Sequence, residues 1–427
     1  MTDYTHVVGG RLHLFRDAAP FLPRHNPTTG NPEFALASYR VLIVRLSPFR
    51  DVDRSVPHLF LWQEVRRALP HAYIDLAFFP DQADRAALDE LGAPYLLGTR
   101  SMRSIEDFDL ALISNAYTLE LVNLPFLLIH SRVPLFASER DDRYPPLILG
   151  GSNAPIAQAI VREDGDSVVD GIYFGEGEGR VARLVAALTM PGASKAERLH
   201  AAASQVQGFW AAGELRPVAK AVARQPRATD LPLDYPLLNS PKAHTTHLQI
   251  TYGCPAFCSF CFEGYDRKPY RELPTEELLD VARQLKVTHG SEEVSLDSFN
   301  FNTHCDILSL LLSLHRLYDR VSLMSQRVDI LQCVGGLLDA EIAAGKASFT
   351  LGIEGISERQ RAFLHKSLPT EDIVSLLERL LGKRIREIKL FFILTGHESD
   401  KDIIEFRAFV RQLKAVRRAG NRGIRVI

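Results

Sequence analysis

Residues 251–272 read "TYGCPAFCSFCFEGYDRKPYRE" and hold three of the chain's five cysteines. Cys254, Cys258 and Cys261 have the spacing C-x3-C-x2-C and directly follow the apolar run "THLQITY" (246–252), which predicts a strand. Three thiolates on one short loop can bind three irons of a [4Fe–4S] cluster and leave the fourth iron without a cysteine. An open metal position is typical of a site that performs chemistry rather than one that only stabilises a fold.

A structural zinc ion is the competing interpretation, because C-x2-C is a common zinc half-site. Zinc needs a fourth ligand, and the nearest candidates, His289 and Cys305, are isolated and lie beyond a predicted helix. Cys305 and Cys333 fall in apolar helical runs and are predicted to be core residues. The pattern therefore favours a cluster over zinc, and over three plainly structural thiols.

The composition bounds the class of protein. The chain has 427 residues, 46% hydrophobic and 24% charged, with a formal net charge of -2. This length predicts two or three domains, and the charge argues against a sequence-independent nucleic-acid binder. The first residues do not resemble a secretory signal, and no apolar run reaches the roughly 18–20 residues of a membrane span. Five cysteines, an odd number, do not suggest a disulfide framework, so we expect a soluble cytoplasmic protein.

Strands and helices alternate downstream of the cysteine loop. Strands are predicted at 246–252, 292–299, 320–326, 347–354 and 386–394, with amphipathic helices between them. This alternation predicts a partial (β/α)6 TIM-like barrel over 244–427, with its site at the carboxyl ends of the strands. The final "GIRVI" resembles the opening of a sixth strand. We therefore expect the barrel to be incomplete at the C-terminus and the chain to be a piece of a longer protein.

A second alternation precedes the barrel. Strand patterns at 39–46, 72–79, 108–116 and 145–153 alternate with helical patterns, and "DGIYFGEGEGRVARLVAAL" (170–188) predicts a strand, a Gly-rich turn and a helix. This is typical of an α/β, Rossmann-like doubly wound parallel sheet, placed at 39–190. Residues 1–38 are predicted to be an irregular lead-in, and the Pro-rich segment 191–243 a linker.

The cysteine loop, with Phe260 before its third cysteine, resembles the signature of the radical S-adenosylmethionine (SAM) superfamily. The resemblance covers roughly residues 243–427. It implies a [4Fe–4S] cluster whose open iron binds the amino and carboxylate groups of SAM. In that family the cluster cleaves SAM reductively to methionine and a 5'-deoxyadenosyl radical that abstracts hydrogen. An electron donor such as flavodoxin or ferredoxin is implied as well.

The resemblance also suggests residues that contact SAM at the ends of the second and third strands. Asp297 and Ser298 in "SLDSFNFN" stand where the family usually has a Gly-Gly-Glu-like stretch, although this sequence lacks those glycines. Ser325 and Arg327 in "MSQRVD" end the third strand, where a guanidinium could pair with the methionine carboxylate. An ordinary surface ion pair is the alternative for Arg327.

Further candidates follow the later strands. Glu354 ends the fourth strand, where the family often places a polar side chain on the ribose hydroxyls, and an acid after "FTLGI" is costly to bury without a partner. Arg361 and Lys389 are additional polar candidates, and a half-exposed surface position is the alternative for Lys389. Tyr265 and Arg271, in the remainder of the cysteine loop, are expected to line the site.

A doubly wound domain before the barrel is similar to the cobalamin-binding arrangement of one large class of the superfamily. A cofactor would be approached by backbone at the end of "PPLILGG" and at the turn "GEGEG", or these glycines are simply tight turns. The residues concerned are Gly150, Gly151, Ser152, Gly175 and Glu176.

The first domain departs from that class at one position. The cobalamin fold often carries Asp-x-His-x-x-Gly after its first strand, but this sequence reads "RLSPFRDVDRSVPHLF", with a later His58 and without the motif. Either cobalamin binds without a protein ligand, or the domain keeps the fold and has lost the cofactor.

The leading hypothesis is thus a radical SAM enzyme, with cobalamin-dependent methyl transfer as one possible reaction. The alternatives are a radical SAM enzyme without cobalamin and a non-catalytic iron–sulfur module. Methylthiotransferases carry three further cysteines in their N-terminal domain, and no cysteine precedes Cys254 here, which argues against that group. The sequence does not name a substrate.

Overall fold

The computed structural model describes residues 3–22, 30–53, 55–231, 245–420 and 423–427. These residues form two compact units, one up to residue 223 and one comprising 224–231 with residues 245 onward. No helix in the described part of the chain combines the length and the apolar character needed to cross a membrane.

The first unit has strands and helices in regular alternation. In chain order they are β1 (Arg40–Arg45), α1 (Phe49–Val52), α2 (Pro57–Ala68), β2 (Tyr73–Phe78), α3 (Gln82–Leu91), β3 (Leu110–Ser114), α4 (Asn123–His130), β4 (Leu147–Gly150), β5 (Gly171–Tyr173), α5 (Val181–Leu188), α6 (Lys195–Gln205) and β6 (Phe209–Ala211).

These strands form one sheet in the order β2-β1-β3-β4-β5-β6, with every pairing parallel except that of β5 with β6. Residues 41–44 of β1 are at most 1% exposed, because apolar clusters cover both faces of the sheet. The predicted doubly wound parallel sheet is confirmed. The strand order reverses between β1 and β3, and ligands of such sheets bind at the carboxyl edge beside that point.

The sheet and its core extend beyond residues 39–190 on both sides. Val8 and Phe15, in the predicted lead-in, are buried in one of the apolar clusters. The predicted linker 191–243 contains α6 and β6, which complete the sheet, and its residues 232–240 and 241–243 lie outside the described residues. The short, antiparallel β6 gave no alternating pattern of its own, so tertiary pairing rather than local sequence decides its conformation.

The second unit carries the cysteine loop. Its elements are β7 (Thr245–Gln249), β8 (Thr251–Tyr252), α7 (Phe262–Asp266), β9 (Arg271–Glu272), α8 (Thr275–His289), β10 (Glu293–Asp297), α9 (Ile307–Leu317), β11 (Arg320–Leu323), α10 (Val328–Cys333), α11 (Leu337–Ala343), β12 (Ser348–Glu354), α12 (Glu358–Phe363), α13 (Thr370–Leu381), β13 (Glu387–Phe392), α14 (Asp400–Ala419) and β14 (Arg425–Val426).

Six parallel strands form two three-stranded sheets, β7-β10-β11 and β12-β13-β14. The alternation and the sixth strand in "GIRVI" are confirmed, but among the described strands no ladder joins β11 to β12. Backbone groups beyond β11 bond elsewhere: the Ser325 carbonyl accepts from Phe301 N at 3.1 Å, and Arg327 N donates to Asn302 Oδ1 at 2.9 Å. The third strand is therefore fastened to the loop after β10, not to β12.

Each sheet of this unit buries one face against helices. In β12, Phe349, Leu351 and Ile353 are fully buried, whereas the alternate positions up to Glu354 face the other side. Because the strands are parallel, their carboxyl ends share an edge within each sheet, and the loops at those edges hold the polar residues described next.

Candidate active site

The base of the cysteine loop is a two-stranded ribbon. Thr251 and Tyr252 of β8 pair antiparallel with Glu272 and Arg271 of β9. Gly253 follows with φ of 72°, and a Cβ there would overlap the carbonyl oxygen of Arg267. Only glycine fits both the left-handed backbone and this close approach. Gly253 therefore fixes the direction in which the chain leaves the ribbon, and with it the position of Cys254.

Lys268 holds the first half of the loop. Its ammonium donates to the carbonyls of Cys254 and Ala256, the latter at 2.9 Å, and lies 3.7 Å from the centre of the Phe257 ring. The hydroxyl of Tyr265 donates to the Phe257 carbonyl at 3.0 Å, so Tyr265 braces the loop. Together these contacts hold the segment from Cys254 to Phe257 against the Lys268 ammonium.

Two of the three sulfur atoms have an N–H donor, and the third is affected by a nearby guanidinium charge. Gly264 N donates to Cys261 Sγ at 3.3 Å, and Asn300 Nδ2 donates to Cys254 Sγ at 3.6 Å. The guanidinium charge of Arg327 acts on the side chain of Cys258 in the direction that lowers the pKa of that thiol. Such donors stabilise the negative charge on cluster sulfurs, and all three cysteines are free thiols. This donor set fits a [4Fe–4S] cluster.

Cations next to Cys258 add to the positive potential. Burial raises the pKa of the Cys258 thiol, while the charges of Lys366 and Arg327 act in the opposite direction. Burial lowers the pKa of Arg327, but the hydrogen bonds and charge of Asp329, together with the sulfurs of Cys258 and Cys254, outweigh that effect and leave the pKa raised. Two positive side chains therefore stand beside the cysteines, where anionic ligands would be favoured.

Asp297 and Ser298 lie at the carboxyl end of β10, as predicted. An Asp297 oxygen is 3.1 Å from His247 Nδ1, and Ser298 Oγ lies 2.6 Å from Thr251 Oγ1. Ser298 Oγ also accepts from Asn300 N at 3.2 Å. The loop after β10 is thus joined to the ribbon, and this positions Asn300 against Cys254.

Arg327 and Ser325 follow β11. The Arg327 side chain is 16% exposed and pairs with Asp329 at 2.8 Å, so an ion pair exists but it is not an ordinary surface pair. Asn302, which is buried, also donates to the Arg327 carbonyl at 2.8 Å and thereby fixes this turn. Ser325 is exposed, and its structural contact is through its carbonyl oxygen.

Glu354 has the partner that its burial requires. It ends β12 with φ of 70° and pairs with Lys366 at 3.0 Å, each side chain being 14% exposed. A Cβ on Gly352 would overlap the Glu354 carboxylate, so the acid folds back over that glycine. Through Lys366, the end of β12 is electrostatically connected to Cys258.

Arg361 and Lys389, also predicted to bind a cofactor, have partners within the second unit. All three Arg361 guanidinium nitrogens donate within the unit, to the carbonyls of Leu368 and Gly355 and to Thr370 Oγ1, and the residue is 3% exposed. These donors secure the chain around α12, and a cofactor role of Arg361 stays a prediction. Lys389 sits opposite Thr350 within β13, short of the strand end, and pairs with Glu387 at 3.2 Å, which matches the alternative surface interpretation.

Two further predictions in this unit concern Arg271 and the two cysteines outside the loop. Arg271 is 9% exposed and donates to the Pro269 carbonyl at 2.9 Å, so it stabilises the ribbon. Cys305 and Cys333 are exposed, not core residues: Cys305 lies in the turn before α9, and Cys333 is the last residue of α10. Asn300, Asn302, Lys268 and Lys366 were missed; the two asparagines directly after the second strand were the available signal.

Two of the predicted glycine positions in the first unit lie directly against the chain's own backbone. Gly151 has φ of 116°, and a Cβ there would overlap the backbone of Asn115. Gly175, with φ of 124°, lies equally close to the backbone of Ala221, and Glu176 N donates to the Ala221 carbonyl at 3.0 Å. The protein's own backbone approaches Gly151 and Gly175 closely, and a cofactor role of Gly151, Gly175 and Glu176 stays a prediction.

Gly150, at the carboxyl end of β4, has more space around it than Gly151 and Gly175. The nearest atoms to a Cβ on Gly150 are at 3.7 Å, an ordinary contact, and Ser152 Oγ donates to the Ala116 carbonyl at 2.9 Å. His58 is fully buried against Arg45, with 3.3 Å between its Nδ1 and the guanidinium. Burial lowers the pKa of His58 well below its usual value, and the ring is enclosed rather than presented to a ligand.

Comparison with known proteins agrees with this geometry. Residues 248–410 match the radical SAM superfamily, and residues 60–211 match the N-terminal region of radical SAM proteins. The chain belongs to the radical SAM superfamily. A radical SAM domain implies a [4Fe–4S] cluster and SAM, which is the cofactor pair that the resemblance of the cysteine loop implied.

Curated relatives of this radical SAM protein match it over short segments. They include a tRNA-2-methylthio-N(6)-dimethylallyladenosine synthase of Fusobacterium nucleatum (38% identity over 14% of this chain and 14% of the relative). The uncharacterized protein MJ0966 of Methanocaldococcus jannaschii is 25% identical over 39% of this chain and 37% of its own. The ribosomal protein uS12 methylthiotransferase RimO of Chlorobium phaeovibrioides is 32% identical over 28% and 26%. The chain thus matches well under half the length of each.

Solved structures show the same fold over most of the chain. The radical SAM methyltransferase TsrM of Kitasatospora setae, with cobalamin and a [4Fe–4S] cluster bound, has a TM-score of 0.57 at 17% identity, over 89% of this chain and 73% of that one. The cobalamin-dependent SAM radical enzyme OxsB, with aqua-cobalamin and SAM bound, has a TM-score of 0.58 at 15% identity, over 90% and 57%. At this identity the likeness establishes the fold.

Proposed function

We propose that this protein is a radical SAM enzyme that uses a cluster on Cys254, Cys258 and Cys261 to cleave SAM reductively and modify a substrate. When bound, the cluster supplies the electron that breaks the sulfonium of SAM. The observation that carries the proposal is the N–H donor at the sulfurs of Cys254 and Cys261, next to the charges of Lys366 and Arg327 at Cys258.

The polar residues at the strand ends would hold SAM. Arg327 would pair with the methionine carboxylate, since its guanidinium already lies beside Cys258. Asp297 and Ser298 would accept from the amino group, and Glu354 from the ribose hydroxyls. Ser325 is a candidate through its exposed side chain. In these roles the chain orients SAM and excludes water from it.

Methyl transfer with cobalamin is the favoured reaction. TsrM and OxsB, which share the fold, have cobalamin bound. In the described part of the first unit, the buried Ser114 Oγ and Asn115 Oδ1 at the end of β3 have no hydrogen-bond partner. They lie at the edge where such sheets bind ligands, and the amide side chains of a corrin could donate to them. Gly150 and Ser152 end the neighbouring strand.

Cobalamin would bind here without His58, because that ring is buried against Arg45. A radical SAM reaction without cobalamin is the alternative, with the first unit as a cofactor-free platform. A non-catalytic iron–sulfur module would bind a cluster and leave SAM intact. Methylthio transfer stays set aside, since no cysteine precedes Cys254. We further propose a cytoplasmic location and a small electron carrier, such as flavodoxin or ferredoxin, as the electron donor.

The test is anaerobic reconstitution with iron, sulfide and cobalamin, followed by assay of SAM cleavage with a chemical reductant. The parent and Cys333→Ala, an exposed cysteine outside the loop, should load a cluster and cleave SAM. The triple variant C254A/C258A/C261A should do neither. A fully loaded cluster with intact SAM would support the non-catalytic module instead, and cleavage without corrin absorption would support the cobalamin-free alternative.

A further inference from the structure

Three metal-binding side chains lie together outside the site described above. Glu272 belongs to β9, and His304 and Cys305 directly precede α9. One ligand atom of each lies within 4.8 Å of the other two. We propose that Glu272, His304 and Cys305 form a second metal site, for a thiophilic divalent cation of the zinc type. Thiolate, imidazole and carboxylate are the ligands that Zn²⁺ takes in proteins.

The imidazole of His304 already has the tautomer that a metal requires. Its Nε2 lies 2.9 Å from the Leu273 carbonyl oxygen and therefore carries the proton that it donates. Its Nδ1 accepts from Asp306 N at 3.2 Å and therefore has the lone pair. Metal-binding histidines commonly donate their other N–H to a carbonyl in this way. A cation would compete with one long amide contact for Nδ1.

The carboxylate of Glu272 is fixed next to the thiol. Tyr270 donates its hydroxyl to Glu272 Oε1 at 2.8 Å, and Cys305 N donates to Oε2 at 3.1 Å. Cys305 follows His304 directly, so these backbone and side-chain hydrogen bonds bring carboxylate, imidazole and thiol together before a metal binds.

The site has an access route and a consequence. Cys305 is exposed whereas His304 is 2% exposed, so a cation could enter from solvent on the thiol side. Three protein ligands leave one tetrahedral position for water. Glu272 pairs with Thr251, two residues before Gly253 in the ribbon that carries the cysteine loop. A bound ion would connect the start of α9 to the base of that loop.

The test measures zinc on the cluster-loaded protein. Anaerobically reconstituted protein is dialysed against low-micromolar zinc chloride, and zinc and iron per chain are determined together. The parent and Cys333→Ala should each bind one zinc ion, and Cys305→Ala and Glu272→Gln should bind it at least about tenfold more weakly. Equal zinc in Cys305→Ala overturns the proposal, as does zinc gained in step with iron lost, because the cysteine loop would then hold the zinc.

A second measurement does not depend on affinity. Cadmium in place of zinc should give an ultraviolet thiolate-to-metal absorption in the parent and in Cys333→Ala. Cys305→Ser, which preserves the size of the side chain, should abolish it while the cluster absorbance shows that the variant is folded. A band that persists in Cys305→Ser overturns the proposal. Neither readout uses SAM cleavage, so the proposed function can fail independently.

Discussion

Gly253→Ala should strain the turn that joins the cysteine loop to the β8–β9 ribbon and weaken retention of the cluster. The residue has φ of 72°, where an L-residue costs about 1–2 kcal/mol. In addition, the new Cβ would overlap the carbonyl oxygen of Arg267, a backbone atom that cannot rotate away. Overpacking of this kind costs about a further 1–3 kcal/mol. The strain falls on the turn that carries Lys268, which holds the carbonyls of Cys254 and Ala256.

The matched control is Gly290→Ala, at the C-terminal end of α8. Gly290 has φ of 61°, so alanine has the same backbone cost, but a Cβ there meets no described atom within 4 Å. The difference between the two variants therefore isolates the steric overlap. At about 1.4 kcal/mol per factor of ten, the overlap should weaken cluster retention by roughly tenfold or more.

The assay is iron and sulfide per chain after anaerobic reconstitution, with the rate of iron loss to a chelator as the second readout. Gly253→Ala should load less iron and lose it faster than Gly290→Ala, which should resemble the parent. If the two variants retain iron equally, the close approach at Gly253 does not hold the loop, and the reasoning is refuted.

Three further outcomes are expected. Arg327→Gln should raise the dissociation constant of SAM by about tenfold, while Arg320→Gln, which removes an exposed ion pair, should leave it unchanged in the same titration. Lys268→Met should accelerate iron loss to a chelator, whereas Lys286→Met, a cation of α8, should not. The lowered pKa of His58 means that the unfolded chain binds a proton that the folded chain does not, so its contribution to stability is present above pH 6.5 and lost below it. The melting temperature should fall as the pH is lowered from 7.5 to about 5, and it should fall less steeply in His58→Gln. An equally steep fall in His58→Gln would contradict this assignment.

The order of elements could be read from the sequence, because strands and helices leave local patterns. Residues 41–44 within "YRVLIVRL" are continuously apolar since β1 is covered on both faces, and the cysteine spacing is a local property of one loop. The same holds for "GIRVI", which pairs with β13 as predicted. Polar residues directly after parallel strands, such as Asp297 and Glu354, were found for the same reason.

What local pattern could not show is which distant residues meet. Arg361 had the right position for a cofactor contact, but three oxygens of its own unit take its donors. Gly151 and Gly175 looked like approach points for a ligand, yet the approaching backbone is that of the chain.

The sequence by itself therefore predicted the chemistry: three thiols in one loop, at the end of the first strand of a βα series, favour a cluster with an open iron. Only the tertiary structure decided the surroundings of that loop. The N–H donor that Asn300 presents to Cys254 and the charge of Lys366 beside Cys258 come from residues more than forty positions away. The grouping of Glu272 with Cys305 likewise depends on the pairing of β8 with β9. Spacing along the chain records neighbours within an element, whereas these contacts form only when separate elements pack together.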